Sequence, residues 1–228
     1  MHLLPSTKTI LTRLMCHTEA IESMSSNELQ RACTMLLSSI RQSSGDNEEE
    51  EEDDEVQPER ALRNVILVDV DAVVIAKPVA TILTSLVKTS TRRRELLLET
   101  LFTILDVPDH EKSVLSLMEA SGGIRTLALT LPLIERKDEN KLRLVELVRK
   151  MLLNSKSEHD DATREALTNA LSDMLSATCT DERLKDEATL VATSLLSRGT
   201  LYHKLLAPVV CILLVLERLS LFFSFSLS

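Results

Sequence analysis

Chemistry has few places to reside in this chain. Asp69 and Asp71 stand two residues apart at the end of an apolar run that reads Asn-Val-Ile-Leu-Val-Asp-Val-Asp-Ala-Val-Val over residues 64–74. Paired carboxylates are groups that proteins use for proton transfer, nucleophilic attack and cation binding. The five histidines (His2, His17, His110, His159, His203) are scattered, and none has a second at ligand spacing. Cys16 and His17 are adjacent, but neighbours on a helix point in different directions and do not face each other. No Gly-rich phosphate loop, GxSxG elbow or HExxH helix is present. The remaining candidates are basic. Lys141, Arg143, Arg149 and Lys150 cluster on one amphipathic stretch and are candidate contacts for an acidic peptide. Arg92, Arg93 and Arg94 form the densest basic run, read as a solvated loop or helix start.

The elements that must position these groups read as helices. Apolar residues recur at helical spacing over 7–22. Ser25 with Glu28 three residues on has the spacing of a capping box. Leu29, Cys33, Leu36, Leu37 and Ile40 then share one face. Pro78 opens a helix lined by Val79, Ile82, Leu83 and Leu86, and 89–92 reads as a short loop. Further helices are expected over 95–105, from Pro108 to Ala120, from Ile124, over 141–153, over 161–178 and over 181–196. Gly122 and Gly123 end the helix before them, because a left-handed terminal residue strains anything with a β-carbon. Residues 65–75 are rich in β-branched side chains and fit strand or helix.

Composition narrows the class. Aromatics make up 2% of the 228 residues, with no Trp and only 4 Gly, which argues against a β-sandwich or barrel. About one residue in five is Leu, which points to helices packed on helices. The net charge is -9, yet residues 46–55 hold nine acidic side chains, so 35 - 9 = 26 acidic residues face 26 basic ones elsewhere. With no basic surplus to neutralise phosphates, nucleic acid is not an expected partner. The acidic run reads as a disordered loop over 43–58 that is able to attract a basic protein. Four cysteines lie far apart with no CxxC pair, which fits reduced thiols and a cytoplasmic or nuclear setting. Residues 205–228 are mostly apolar but are interrupted by Glu217 and Arg218, which fits a packed helix better than a membrane anchor.

The helices recur in order. Val79, Ile82, Leu83 and Leu86 match Ile124, Leu127, Ala128 and Leu131 at an offset of 45, and Leu97, Leu98, Leu101 and Leu105 match Leu144, Val145, Val148 and Leu152 at an offset of 47. Periods of this size belong to helical solenoids. Residues 113–154 resemble an armadillo repeat. Residues 113–120 look like the closing helix of one unit, the Gly–Ile–x–x–Leu pattern at Gly123, Ile124 and Leu127 looks like the junction before a short first helix, and 141–153 looks like the long second helix. The resemblance covers about residues 78–154, and HEAT repeats share its geometry. It implies an all-α, right-handed solenoid of about three to four units over 59–204, preceded by N-terminal helices in 1–42. It also implies a non-enzymatic scaffold that binds a protein or peptide without a cofactor.

The run ending in Asp69 and Asp71 resembles the first motif of haloacid-dehalogenase-type phosphatases. That resemblance implies a nucleophile at Asp69, an acid and base at Asp71, and magnesium beside Asp69. The chain departs from that pattern, with Ala72 and Val73 where the family has Gly-Thr and with no other segment that reads as a strand. The scaffold is therefore the expectation, with the phosphatase and a membrane-tethered adaptor as alternatives.

Overall fold

The computed structural model describes residues 7–43, 57–69, 75–107, 110–135, 139–155, 159–176 and 179–197. The acidic run, Asp71, Pro108 and the apolar tail at 205–228 lie outside the described residues. Within them every regular element is helical, and the fold is all-α. In chain order the helices are α1 (Thr7–Met15), α2 (Thr18–Glu22), α3 (Ser26–Ser43), α4 (Pro58–Val68), α5 (Ala76–Leu86), α6 (Thr91–Leu105), α7 (Glu111–Ala120), α8 (Gly123–Thr130), α9 (Glu139–Asn154), α10 (Asp161–Met174) and α11 (Glu182–Leu196). A 3-10 turn at Leu131–Leu133 follows α8. No described helix is long and apolar enough to cross a membrane.

Local chemistry explains most of the boundaries. The Glu28 carboxylate accepts from the Ser25 backbone N–H at 2.8 Å and from its hydroxyl at 2.6 Å, which fixes the start of α3. Pro58 occupies the first turn of α4, where its missing N–H costs nothing. Asp160 and Asp181 cap α10 and α11 by accepting from Thr163 N–H at 2.9 Å and Leu184 N–H at 3.2 Å. The stretch read as one helix over 7–22 is two, because the chain turns at Cys16 and His17 between α1 and α2. The ambiguous segment resolves as helix as far as Val68, burying Ala61, Leu62, Val65 and Ile66. Its β-branched residues meet the neighbouring helices, and that burial outweighs their weak helix propensity.

The two glycines between α7 and α8 do different work. Gly122 has φ near 70°, the left-handed conformation that ends α7, and its N–H bonds the Glu119 carbonyl at 3.1 Å. Gly123 is itself the first residue of α8. A β-carbon there would sit 2.7 Å from the Met118 carbonyl oxygen, so only hydrogen fits.

The chain divides into two compact units, Met1–Gly123 and Ile124–Ser228. In the first, α3 packs on α5 and α5 on α7, while α4 packs on α6. Helices α3 and α4 also pack on each other, as do α5 and α6, and α1 and α2 rest on α4. The helices before and after the acidic run thus share one core. Leu36, Ile40, Leu62, Val65, Ile82, Leu86, Leu97, Leu98 and Leu101 are its fully buried centre. Each such side chain contributes about 1.5–3 kcal/mol of transfer free energy. In the second unit α9 packs on α11 and α10 on α11, and the 3-10 turn rests on α9 and α10. Leu144, Val145, Val148, Leu152, Leu167, Leu184, Val191 and Leu195 form its interior.

Candidate interaction site

The four basic residues singled out on α9 do not form a surface. Lys141 is 2% exposed. Its ammonium donates to the Ile134 carbonyl at 3.0 Å and lies 4.0 Å from Asp173 on α10. It ties α9 to the segment after the 3-10 turn and to α10, and it is not available to a peptide. This corrects the expectation that Lys141 is a solvated charge. The side chain is long enough to bury its stem while its head finds a carbonyl and a carboxylate. Arg149 is half-buried and forms an ion pair with Glu187 on α11 at 2.9 Å. Arg143 and Lys150 remain on the outward side, Arg143 half-buried and Lys150 exposed. There they share a strip with Glu139 and Glu146, each four residues before a cation. Two carboxylates offset two cations, so the strip presents no net positive field.

The arginine run is also structural. It lies in the first turn of α6, and only Arg92 is exposed. The Arg93 guanidinium makes two bonds to the Glu59 carboxylate on α4, with its Nε at 2.8 Å, and both residues are buried. Arg94 donates to the Leu86 carbonyl at 2.9 Å and the Thr89 carbonyl at 2.6 Å, closing the end of α5. Burial lowers its pKa from the ordinary guanidinium value, since the charge is held away from water. A second ion pair, Arg63 to Glu99 at 2.7 Å, joins α4 to α6 at a half-exposed position. The reading of residues 92–94 as solvated therefore holds for Arg92 alone.

Asp69 ends α4. It accepts a hydrogen bond from the Ser26 hydroxyl at 3.3 Å, linking the C-terminus of α4 to the start of α3. The residues that lead into it form a helix, whereas the phosphatase motif needs a strand that delivers the first carboxylate to a sheet edge. Among the described residues no three His, Cys, Asp or Glu side chains gather into a metal-holding group.

Exposed cations also occur singly on other helices, such as Arg60 on α4 and Lys112 on α7, but four of them lie on α3 and on or just after α5. Arg31 and Arg41 are exposed on α3, and Lys77 and Lys88 are exposed on and just after α5. These two helices pack on each other, and a side-chain bond crosses the seam between them. Arg41 crosses it to donate to the Thr81 hydroxyl at 2.9 Å. Lys77 lies close enough to Cys33 on α3 for its charge to act on the thiol, although burial dominates and pushes that thiol up to about 11. The exposed side chains between them are Gln30, Thr34, Ser38 and Thr84. Glu28 is the one acidic residue of α3, and its carboxylate is held at the cap by Ser25; α5 has none. Sequence reading missed this group, although the signal was there. Residues 29–45 and 72–94 contain no Asp or Glu.

Outside comparison adds nothing to these positions, since no family model, no curated protein and no solved structure matches the chain.

Proposed function

We propose that this chain is a non-enzymatic interaction scaffold of armadillo type, a short right-handed helical stack that binds a partner protein or peptide along its exposed helix faces. The observation that carries this reading is the packing of several helices on the next but one. Helix α3 lies on α5 and α5 on α7 in one layer, α4 lies on α6 in the other, and α9 lies on α11 in the second unit. A stack built this way buries one stripe of each helix against its neighbours and leaves one outward face to solvent. The matched apolar positions add support. Val79, Ile82, Leu83 and Leu86 are buried, and so are Ile124, Leu127, Ala128 and Leu131. Leu97, Leu98 and Leu101 are buried like Leu144, Val145 and Val148.

Affinity capture on the immobilised full chain, followed by cross-link mapping, tests the reading. The same partner is expected in repeated captures, with cross-links on the exposed helix faces and none when the core is broken by Ile82→Asp. Failure to retain any partner overturns the scaffold. Magnesium-dependent hydrolysis of a phosphate monoester, abolished by Asp69→Asn, overturns it in favour of the phosphatase.

A further inference from the structure

The cations of α3 and α5 differ from Arg63, Arg93 and Arg94 of the same unit. Arg93 and Arg94 are buried in bonds to Glu59 and to two carbonyls, and Arg63 has Glu99 as its partner. Lys77 and Lys88 are exposed, and α5 carries no carboxylate. Arg41 stands between them across the seam, and Arg31 lies on the same exposed strip of α3. Like charges gathered on one surface without intervening carboxylates raise the local potential and draw in a ligand of opposite sign. The chain as a whole is acidic, at -9, so this is a local exception that solvation alone does not require.

We propose that the seam between α3 and α5 docks an acidic peptide, with Arg41, Lys77 and Lys88 as its carboxylate-binding residues and Arg31 at its margin. The proposal rests on the scaffold reading and specifies its partner. Eleven residues separate Lys77 from Lys88, and a helix rises about 1.5 Å per residue, so the cations span roughly 16 Å. An extended peptide covers that distance with about five residues at about 3.3 Å each. Its alternate side chains point to one side, about 6.6 Å apart, so two or three carboxylates reach the seam together. Arg41 offers a planar fork that matches a carboxylate, and the lysines act as point charges. The flanking Thr34, Ser38 and Thr84 hydroxyls and the Gln30 amide suit the peptide backbone. A nucleic acid fits less well, because neither helix carries an aromatic residue on which a base would stack.

The test uses the full chain and a fluorescein-labelled decaglutamate peptide, read by anisotropy. Binding is expected at about 0.1 M salt and should vanish near 1 M, where the screening length falls from about 10 Å to about 3 Å. Charge reversal at the seam, Lys77→Glu with Lys88→Glu, should weaken it at least about tenfold. The neutral pair Lys77→Gln with Lys88→Gln should give a smaller loss at an unchanged melting temperature, which separates lost charge from lost fold. Reversal on α9, Arg143→Glu with Lys150→Glu, should leave affinity unchanged. The proposal is overturned if the full chain does not bind the peptide, if both reversals weaken it equally, or if an oligothymidylate of the same length binds more tightly. A partner still captured by the seam-reversed chain leaves the scaffold standing and removes the seam, whereas capture of no partner at all removes the scaffold.

Discussion

Helix α9 and the α3–α5 seam each carry four cations, and the fold treats them in opposite ways. On α9, Lys141 and Arg149 are held by Ile134, Asp173 and Glu187, while Arg143 and Lys150 share their strip with Glu139 and Glu146. On the seam, Arg31, Arg41, Lys77 and Lys88 all reach solvent, and among the described residues the one carboxylate that α3 and α5 themselves carry is the capping Glu28. The number of basic residues in a segment therefore says little about its field. What decides is how many carboxylates and carbonyls the neighbouring helices bring to the same place. Half of the first cluster is bonded within its unit, whereas the second is exposed.

Substitution at the buried end of this contrast should have the largest effect. Lys141→Glu would place a carboxylate against the Ile134 carbonyl and Asp173 in a buried site, with a loss of about 3–5 kcal/mol on chemical denaturation. The same reversal at Lys77 should cost less than about 0.5 kcal/mol, because that position is in water. Equal losses at the two sites would erase the distinction. Arg93→Ala belongs beside Lys141→Glu. It leaves the Glu59 carboxylate, 1% exposed, without the guanidinium that makes two bonds to its Oε1, and breaking a buried pair from one side costs about 3–5 kcal/mol. A calorimetric melt close to that of the parent chain would refute this account of the α4–α6 contact.

Smaller effects sharpen the comparison at its partly solvated end. Arg149→Ala removes a half-exposed ion pair with Glu187, and urea titration should show a loss of about 1 kcal/mol or less. A larger loss would mean that the α9–α11 contact depends on this pair as strongly as α4–α6 depends on Glu59.

Acid titration probes the caps. Hydrogen bonds from the Ser25 hydroxyl and N–H lower the Glu28 pKa, and those from Thr163 lower that of Asp160. A carboxyl with a depressed folded value stabilises the fold fully above its unfolded value and loses that contribution as pH falls through the folded one. Helicity monitored against pH should therefore hold steady above about pH 5 and begin to fray at the starts of α3 and α10 below about pH 4. Substituting Glu28→Gln and Asp160→Asn should flatten that part of the curve.

The core was legible from sequence because apolar spacing and burial report the same geometry. Leu29, Cys33, Leu36, Leu37 and Ile40 were assigned to one face by period alone, and all five are buried. The helical class followed from composition, and the caps at Ser25 and Gly122 followed from residue type. Charge was harder to read. The loop expected over 89–92 hid the start of α6, since three arginines in a row look solvated until Glu59, 34 residues earlier, is known to lie beside them. Lys141 belonged to a textual cluster that the fold dissolves, because its partners come from the segment before α9 and from another helix. The seam shows the same limit from the other side. Two acid-free stretches can be seen in the sequence, but it is the packing of α3 on α5, with Arg41 bonded to Thr81 40 residues away, that brings them together.

The junction at Gly122 and Gly123 carries one more consequence, for the pattern of tolerated variation. A library sampling every amino acid at both positions should return two different profiles from adjacent codons. At 122 the objection is torsional, so Asn and Asp survive best and β-branched residues worst. At 123 the objection is steric and begins with the first carbon, so alanine should be rejected nearly as firmly as leucine.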